Sequence, residues 1–165
     1  AFYLGRIRLP MKHSSILTPG LYADFLALDW QGFTPVASLA DTTPANDAPD
    51  SSAPETLLAA LEALHALCPL PLSVTLHGTE ADIRVPYLFE HLRALSESPL
   101  PIERCFYGAF TDGFEWLDGQ SERRGIVHVD FDTQRREPTD AYELLQAILS
   151  RGGADDALYA EYFEE

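Results

Sequence analysis

Glu115 and Trp116 stand side by side in Phe114-Glu115-Trp116, just beyond an apolar run, and their chemistry is complementary. A carboxylate accepts hydrogen bonds from paired hydroxyls, while an indole adds an N–H donor and a flat apolar face. Concave sites that hold small ligands combine such polar and aromatic groups. Asp112 lies in the same stretch, and its residue type favours an acceptor that fixes a loop over a catalyst. His77 closes the apolar run Pro69–Gly78 (PLPLSVTLHG), where an imidazole can serve as a base near neutral pH or simply fill space. The five histidines, at 13, 65, 77, 91 and 128, show no ligand spacing, so no metal site is expected, and no cofactor either. Cys68 and Cys105 also lack that spacing and read as reduced thiols, with Cys105 inert at the start of a buried strand. Arg123-Arg124 and Arg135-Arg136 read as ion-pairing surface groups amid many acids.

Composition narrows the partners. The 26 acidic against 11 basic side chains give a formal charge of −15, which repels a phosphate backbone and an anionic membrane face. No nucleic acid and no membrane is expected as a partner. The N-terminal AFYLGRIRLP lacks the apolar core of a secretory signal, and no apolar run is long enough to span a bilayer, so the expected location is cytoplasmic. With 165 residues, 46% of them apolar, the chain can bury one core, and residues 1–165 read as one domain.

The elements that must position these residues follow from periodicity. Asp24–Trp30 (DFLALDW) reads as a strand buried on both faces, whose C-terminal end at Asp29-Trp30 opens on a site. Residues 40–53 are small, polar and proline-rich, which predicts a mobile loop. Ser52 with Glu55 forms a cap for a helix over 55–67, with Leu57, Leu58, Leu61 and Leu64 on its inner face. A second strand follows at 71–77. A helix over 81–95 then turns Ile83, Tyr87, Leu88, His91 and Leu95 inward, with Pro86 as a potential break in its first turns. Cys105–Thr111 is the third strand and Gly125–Phe131 a short extended piece. Thr139 caps a helix to about Arg151, with Tyr142, Leu145, Ile148 and Leu149 inward and Gly152-Gly153 as its stop. The acidic tail 153–165 is a weak helix or a loose arm. The strand-helix alternation predicts an α/β fold with a short parallel sheet. An eight-stranded barrel needs about 250 residues, so the chain is part of a barrel or a reduced version of one.

The segment from Asp24 to about Arg151 resembles the C-terminal part of glycoside hydrolase family 1, the beta-glucosidase family, whose fold is a (β/α)8 (TIM) barrel. Asp24–Trp30 is similar to the family's sixth-strand pattern Asp-Phe-Ile-Gly-Ile-Asn-Tyr, and Leu70–Gly78 (LPLSVTLHG) to the seventh-strand Leu-Pro-Ile-Tyr-Ile-Thr-Glu-Asn-Gly. Asp82-Ile83-Arg84-Val85-Pro86-Tyr87-Leu88 and His91-Leu92 resemble the helix that follows. Asp112, Phe114-Glu115-Trp116, Gly119, Arg123 and Gly125-Ile126-Val127, then Asp130, Thr133-Gln134-Arg135-Arg136 and Pro138, fall in register with the eighth-strand pattern, the most specific of these. The resemblance implies a partial TIM-barrel-like domain of about the last three β/α units, spanning 24–151.

It also implies a saccharide ligand held by Glu115 and Trp116, with Asp29, Trp30 and His77 as the neighbouring substrate-binding residues. Leu76 takes the slot of the family's nucleophilic glutamate, and no Asn-Glu-Pro supplies the acid/base. A retaining glycosidase needs two carboxyl groups about 5 Å apart. The resemblance therefore implies no catalytic residue, and a glycosidase-like protein that acts by carbohydrate binding or as a scaffold. Gly108 replaces the tryptophan that floors the sugar, which weakens even that binding. The alternative is a fragment or subunit of an active β-glycosidase, with His77, Glu80 or Asp82 as a substitute group and the missing barrel half on another chain. A homo-oligomer that pairs the open sheet edges is the structural alternative.

Overall fold

The computed structural model describes residues 23–31, 36–38, 41–44, 53–78, 81–116 and 119–164. In chain order the elements are β1 (Leu26–Trp30), β2 (Val36–Ser38), β3 (Asp41–Pro44), α1 (Pro54–Leu67), β4 (Leu72–His77), α2 (Ala81–Glu97) and β5 (Ile102–Gly108). Then come β6 (Val127–Val129), β7 (Arg136–Pro138), α3 (Asp140–Arg151) and α4 (Asp156–Phe163). The predicted α/β order stands. β1, β4 and β5 form a parallel sheet in the order β1-β4-β5, and the pairs β2/β3 and β6/β7 are antiparallel. A proline precedes both β4 and β5 and lends its carbonyl to the neighbouring strand: Leu26 N–H donates to Pro71 O and Leu72 N–H to Pro101 O, each at 2.8 Å.

One face of the sheet is covered. Leu72, Val74 and Leu76 of β4 pack with Leu26 and Trp30 of β1, Leu57 and Leu61 of α1, and Tyr87 and Leu95 of α2. A second apolar group joins α2 to the C-terminal helices through Leu88, Phe89, Leu144, Ile148 and Leu158. Together α1, α2 and the sheet make two layers, with α3 and α4 closing the end beyond α2.

Several expectations are corrected here. β1 is not buried on both faces: Ala27 and Asp29 are exposed, because among the described residues nothing covers that side. Within the predicted loop at 40–53, Asp41–Pro44 is extended and pairs with β2, consistent with its two β-branched threonines. Residues 45–52, and with them the proposed Ser52 cap, lie outside the described residues. The N-cap of α1 is Ala53, whose carbonyl accepts a bond from the Thr56 hydroxyl at 2.6 Å.

In α2 the chain runs through Pro86 without a break, and Ile83 is exposed while Arg84 turns inward. Leu149 is likewise exposed, since Ala141, Leu144 and Ile148 hold the inner face of α3. The hydroxyl of Thr139 does not cap α3 but donates to Ile126 O at 2.7 Å. Gly152 ends that helix at φ +78°, a left-handed stop. The third strand, expected at Cys105–Thr111, runs instead over Ile102–Gly108: pairing with β4 already begins at Pro101, and beyond Gly108 the backbone leaves the sheet, where Thr111 bridges to Val127. The tail is a packed helix: Asp155 caps α4 through Leu158 N–H at 2.8 Å, and Phe163 sets its ring 5.4 Å from that of Phe89. No described helix is long and apolar enough to cross a membrane.

Candidate functional site

Strand alternation decides which side chains reach the uncovered face. Residues paired across neighbouring strands point the same way, and successive residues point oppositely. Trp30, Leu76 and Tyr107 are one such row and face the helices. Asp29, Thr75 and Phe106 are the next row and face outward, and His77 with Gly108 extends that open face to the C-terminal end of the sheet.

Leu76 is therefore a core residue, 0% exposed, and does not stand on the open face. Trp30, 4% exposed, is withdrawn in the same way. On the open face, which Thr75 and the exposed Arg104 also share, His77 and Asp29 meet through Nε2 of the imidazole and Oδ1 of the carboxylate. Both are largely solvent-accessible, with side chains 40% and 63% exposed. Gln31 adds a long contact of 3.5 Å to the other Asp29 oxygen. Glu80 lies outside the described residues, as does the side chain of Asp82, so neither can be placed beside this pair.

Glu115 and Trp116 lie on the loop after β5. Glu115 and Gly119 exchange both backbone hydrogen bonds, at 2.7 and 2.8 Å, and Gly119 adopts φ +66° to close the turn. Trp116 is 93% exposed, with its ring edge-on to Phe114 at 6.2 Å. No hydrogen bond or ion pair among the described residues joins Glu115 or Trp116 to Asp29 or His77. The five candidate contacts thus separate into an open-face pair, a loop pair and one buried indole.

The loop itself is tied down by Asp112, whose side chain is 1% exposed. Its carboxylate accepts from Gly125 N–H at 3.0 Å, Val129 N–H at 3.2 Å and His128 Nδ1 at 2.8 Å, and Arg123 lies 3.5 Å away. A carboxylate so occupied holds a loop rather than working on a ligand. Arg84 reaches from α2 to the same loop, donating to Gly125 O at 2.7 Å and to Arg123 O. One arginine of each pair makes a surface ion pair as read, Arg135 with Glu137 at 2.7 Å and Arg124 with Glu122 at 3.7 Å, whereas Arg136 donates to Gln134 O at 2.9 Å and Arg123 faces the buried Asp112.

Sequence reading did not single out Arg84 or Phe106 for the site. For Arg84 the available signal is its place in the quoted helix pattern. For Phe106 it is the strand parity counted back from Gly108. Two potential nucleophiles are unavailable as anions at neutral pH: burial pushes Tyr87 up to about 12 and Cys105 up to about 11. Cys105 is exposed as a residue, against the buried position expected of it, yet packing around its sulfur still penalises the thiolate. Both cysteines are free.

Comparison with known proteins then supplies context. The pattern of glycosyl hydrolase family 1 matches residues 73–154. Beta-glucosidase A of Thermotoga maritima is 34% identical over 77 residues, which is 44% of this chain and 17% of that protein. The 6-phospho-beta-galactosidase of Streptococcus mutans is 35% identical over 65 residues, or 38% of this chain and 14% of that one. Among solved structures, the beta-glycosidase from Pyrococcus horikoshii superposes with a TM-score of 0.76 at 22% identity, covering 98% of this chain and 42% of that one. The chain spans less than half the length of each of these proteins.

Proposed function

We propose that this chain, whose residues 73–154 match the pattern of glycosyl hydrolase family 1 and whose fold is similar to part of a beta-glycosidase barrel, acts by binding carbohydrate without hydrolysing it. The observation that carries this reading is the orientation of Leu76. Its side chain lies in the core, and among the described residues the open end of the sheet presents a histidine paired to one carboxylate in place of two facing acids. Retaining hydrolysis needs a nucleophile and an acid/base about 5 Å apart. An imidazole–carboxylate pair can hold hydroxyl groups, and Glu115 with Trp116 adds the means to hold more of them.

The test has two arms. Pure protein incubated with an aryl β-glucoside is expected to release no aglycone above the uncatalysed rate. Its melting temperature is expected to rise in a screen of mono- and disaccharides that includes cellobiose, since a ligand that favours the native state stabilises it. Turnover that survives exhaustive purification removes the non-hydrolytic reading, and a flat melting temperature across the screen removes carbohydrate binding.

A second reading is favoured by the sheet margins. Among the described residues, β1 and β5 each pair on one side only, and the chain covers 42% of the Pyrococcus horikoshii structure. On this reading the chain is one part of an active β-glycosidase, and co-expression with a polypeptide that carries the other barrel strands restores hydrolysis.

A further inference from the structure

Three consecutive backbone carbonyls, those of Arg123, Arg124 and Gly125, are gripped from behind. The guanidinium of Arg84, on α2, donates through Nη1 to Gly125 O at 2.7 Å and through Nη2 to Arg123 O, and the Tyr107 hydroxyl of β5 reaches the carbonyl between them at 3.5 Å. Burial pushes the Tyr107 phenol up, so its proton stays in place to be donated. The end of β4 backs onto the same spot. A Cβ added to Gly78 would fall inside the van der Waals envelope of the Arg124 carbonyl, and Arg124 Nη1 returns a bond to Gly78 O at 3.3 Å. Arg84 is 4% exposed. A charge taken that far from water needs acceptors, and a planar fork spans two carbonyls where a lysine ammonium offers a single point.

These carbonyls belong to the returning limb of the loop that carries Glu115 and Trp116. The outgoing limb is fixed at Asp112, whose amide donates to Val127 O at 3.1 Å and whose carboxylate takes the Gly125 N–H at 3.0 Å. Asp112 thus holds Gly125 by its N–H while Arg84 holds it by its carbonyl. Between the limbs the chain bonds to itself through Glu115 and Gly119, and Trp116 stands 93% exposed. The limbs therefore set the direction in which the loop presents its two groups. We infer that Arg84, backed by Tyr107, is the positioning residue for the Glu115–Trp116 loop, fixing from α2 a ligand-holding segment whose tip it does not reach. The inference rests on the carbohydrate-binding reading and adds to it a residue that touches no ligand.

Limited trypsin digestion of the intact chain tests the anchoring without any sugar. The peptide bonds after Arg123 and after Arg124 are those whose carbonyls are gripped, so both resist cleavage while the grip holds. In Arg84→Lys, which keeps the charge and loses the fork, these two cuts are expected to speed up by about tenfold or more, the scale of one lost charged hydrogen bond. Tyr107→Phe, which removes only the hydroxyl, is expected to speed the same cuts by about threefold. Cleavage after Arg93 and Arg151, on α2 and α3, is expected to keep the parent rate and reports any general loosening in the same digest. Calorimetric titration with cellobiose is the second arm, and Arg84→Lys is expected to raise Kd by about tenfold. If the cuts after Arg123 and Arg124 stay at the parent rate, or rise only in step with those after Arg93 and Arg151, the anchoring is wrong. Selective cutting with an unchanged Kd overturns the positioning role and leaves carbohydrate binding standing. If the parent chain does not bind cellobiose, the proposed function falls together with the role that rests on it, and the digest alone decides whether Arg84 holds the loop.

Discussion

Leu76→Glu, the substitution that would restore the family's glutamate by alignment, is expected to unfold the protein and to confer no hydrolysis. Residue 76 is 0% exposed among Leu57, Leu61, Leu72 and Val74, so the new carboxyl enters hydrocarbon. Replacing a buried leucine loses about 2–5 kcal/mol of packing and transfer energy. Burying the carboxyl raises its pKa by up to about 3–5 units, each worth about 1.4 kcal/mol at neutral pH. The sum is comparable to the whole stability of a domain, about 5–15 kcal/mol.

The sign with pH follows from the direction of that shift. A carboxyl whose folded pKa is raised is tolerated below its unfolded value, about 4.3, and becomes progressively more costly as pH rises toward the folded value. Urea denaturation should therefore show the variant least destabilised near pH 4 and most destabilised above neutrality. By contrast, His77→Glu places the acid on the open face and should cost no more than about 1 kcal/mol. Equal stability of the two variants at pH 7 would contradict the strand parity on which the site is built.

Gly125→Ala is the second large effect. An added methyl would fall inside the van der Waals envelope of the Asp112 amide nitrogen and the Thr111 carbonyl carbon, both of them backbone atoms. No side-chain rotation can relieve such a clash. The residue also lies where three ties converge: its N–H donates to Asp112, its carbonyl accepts from Arg84, and Thr139 bonds the next carbonyl along. Moving it to make room loosens all three. We expect a loss of about 3 kcal/mol or more, read as a lower urea midpoint. A control at Gly113, where nothing lies within 4 Å of the added carbon, should change stability little.

Much of the fold is legible in the sequence where periodicity and punctuation agree. The leucines at 57, 58, 61 and 64 mark the packed face of α1, the apolar run that closes at Gly78 marks β4, and Gly152 marks the end of α3. The eighth-strand pattern is equally legible, because Asp112 and the residues that bond it recur at fixed spacing. Burial is harder to read. Ile83 and Leu149 are apolar and exposed, and Arg84 is charged and buried, because the geometry of a loop far along the chain gives the arginine its acceptors.

The site is legible by composition but not by direction. Alignment puts Leu76 beside the ligand, whereas strand parity turns it into the core and leaves His77 outside. Direction along a strand depends on which face the helices cover, and residue type alone does not carry that.

The position of β4 has a consequence for how the molecule opens. Among the described residues it is the sole strand of its sheet flanked on both sides, and α1 and α2 lie against it. Its amide protons are therefore the slowest to trade with deuterated solvent, while those on the outer margins of β1 and β5 trade first. The chain frays from its rims toward this central strand. His77, at the tip of β4, is thus anchored to the most persistent part of the sheet, while its partner Asp29 and the Phe106 ring ride on strands that breathe.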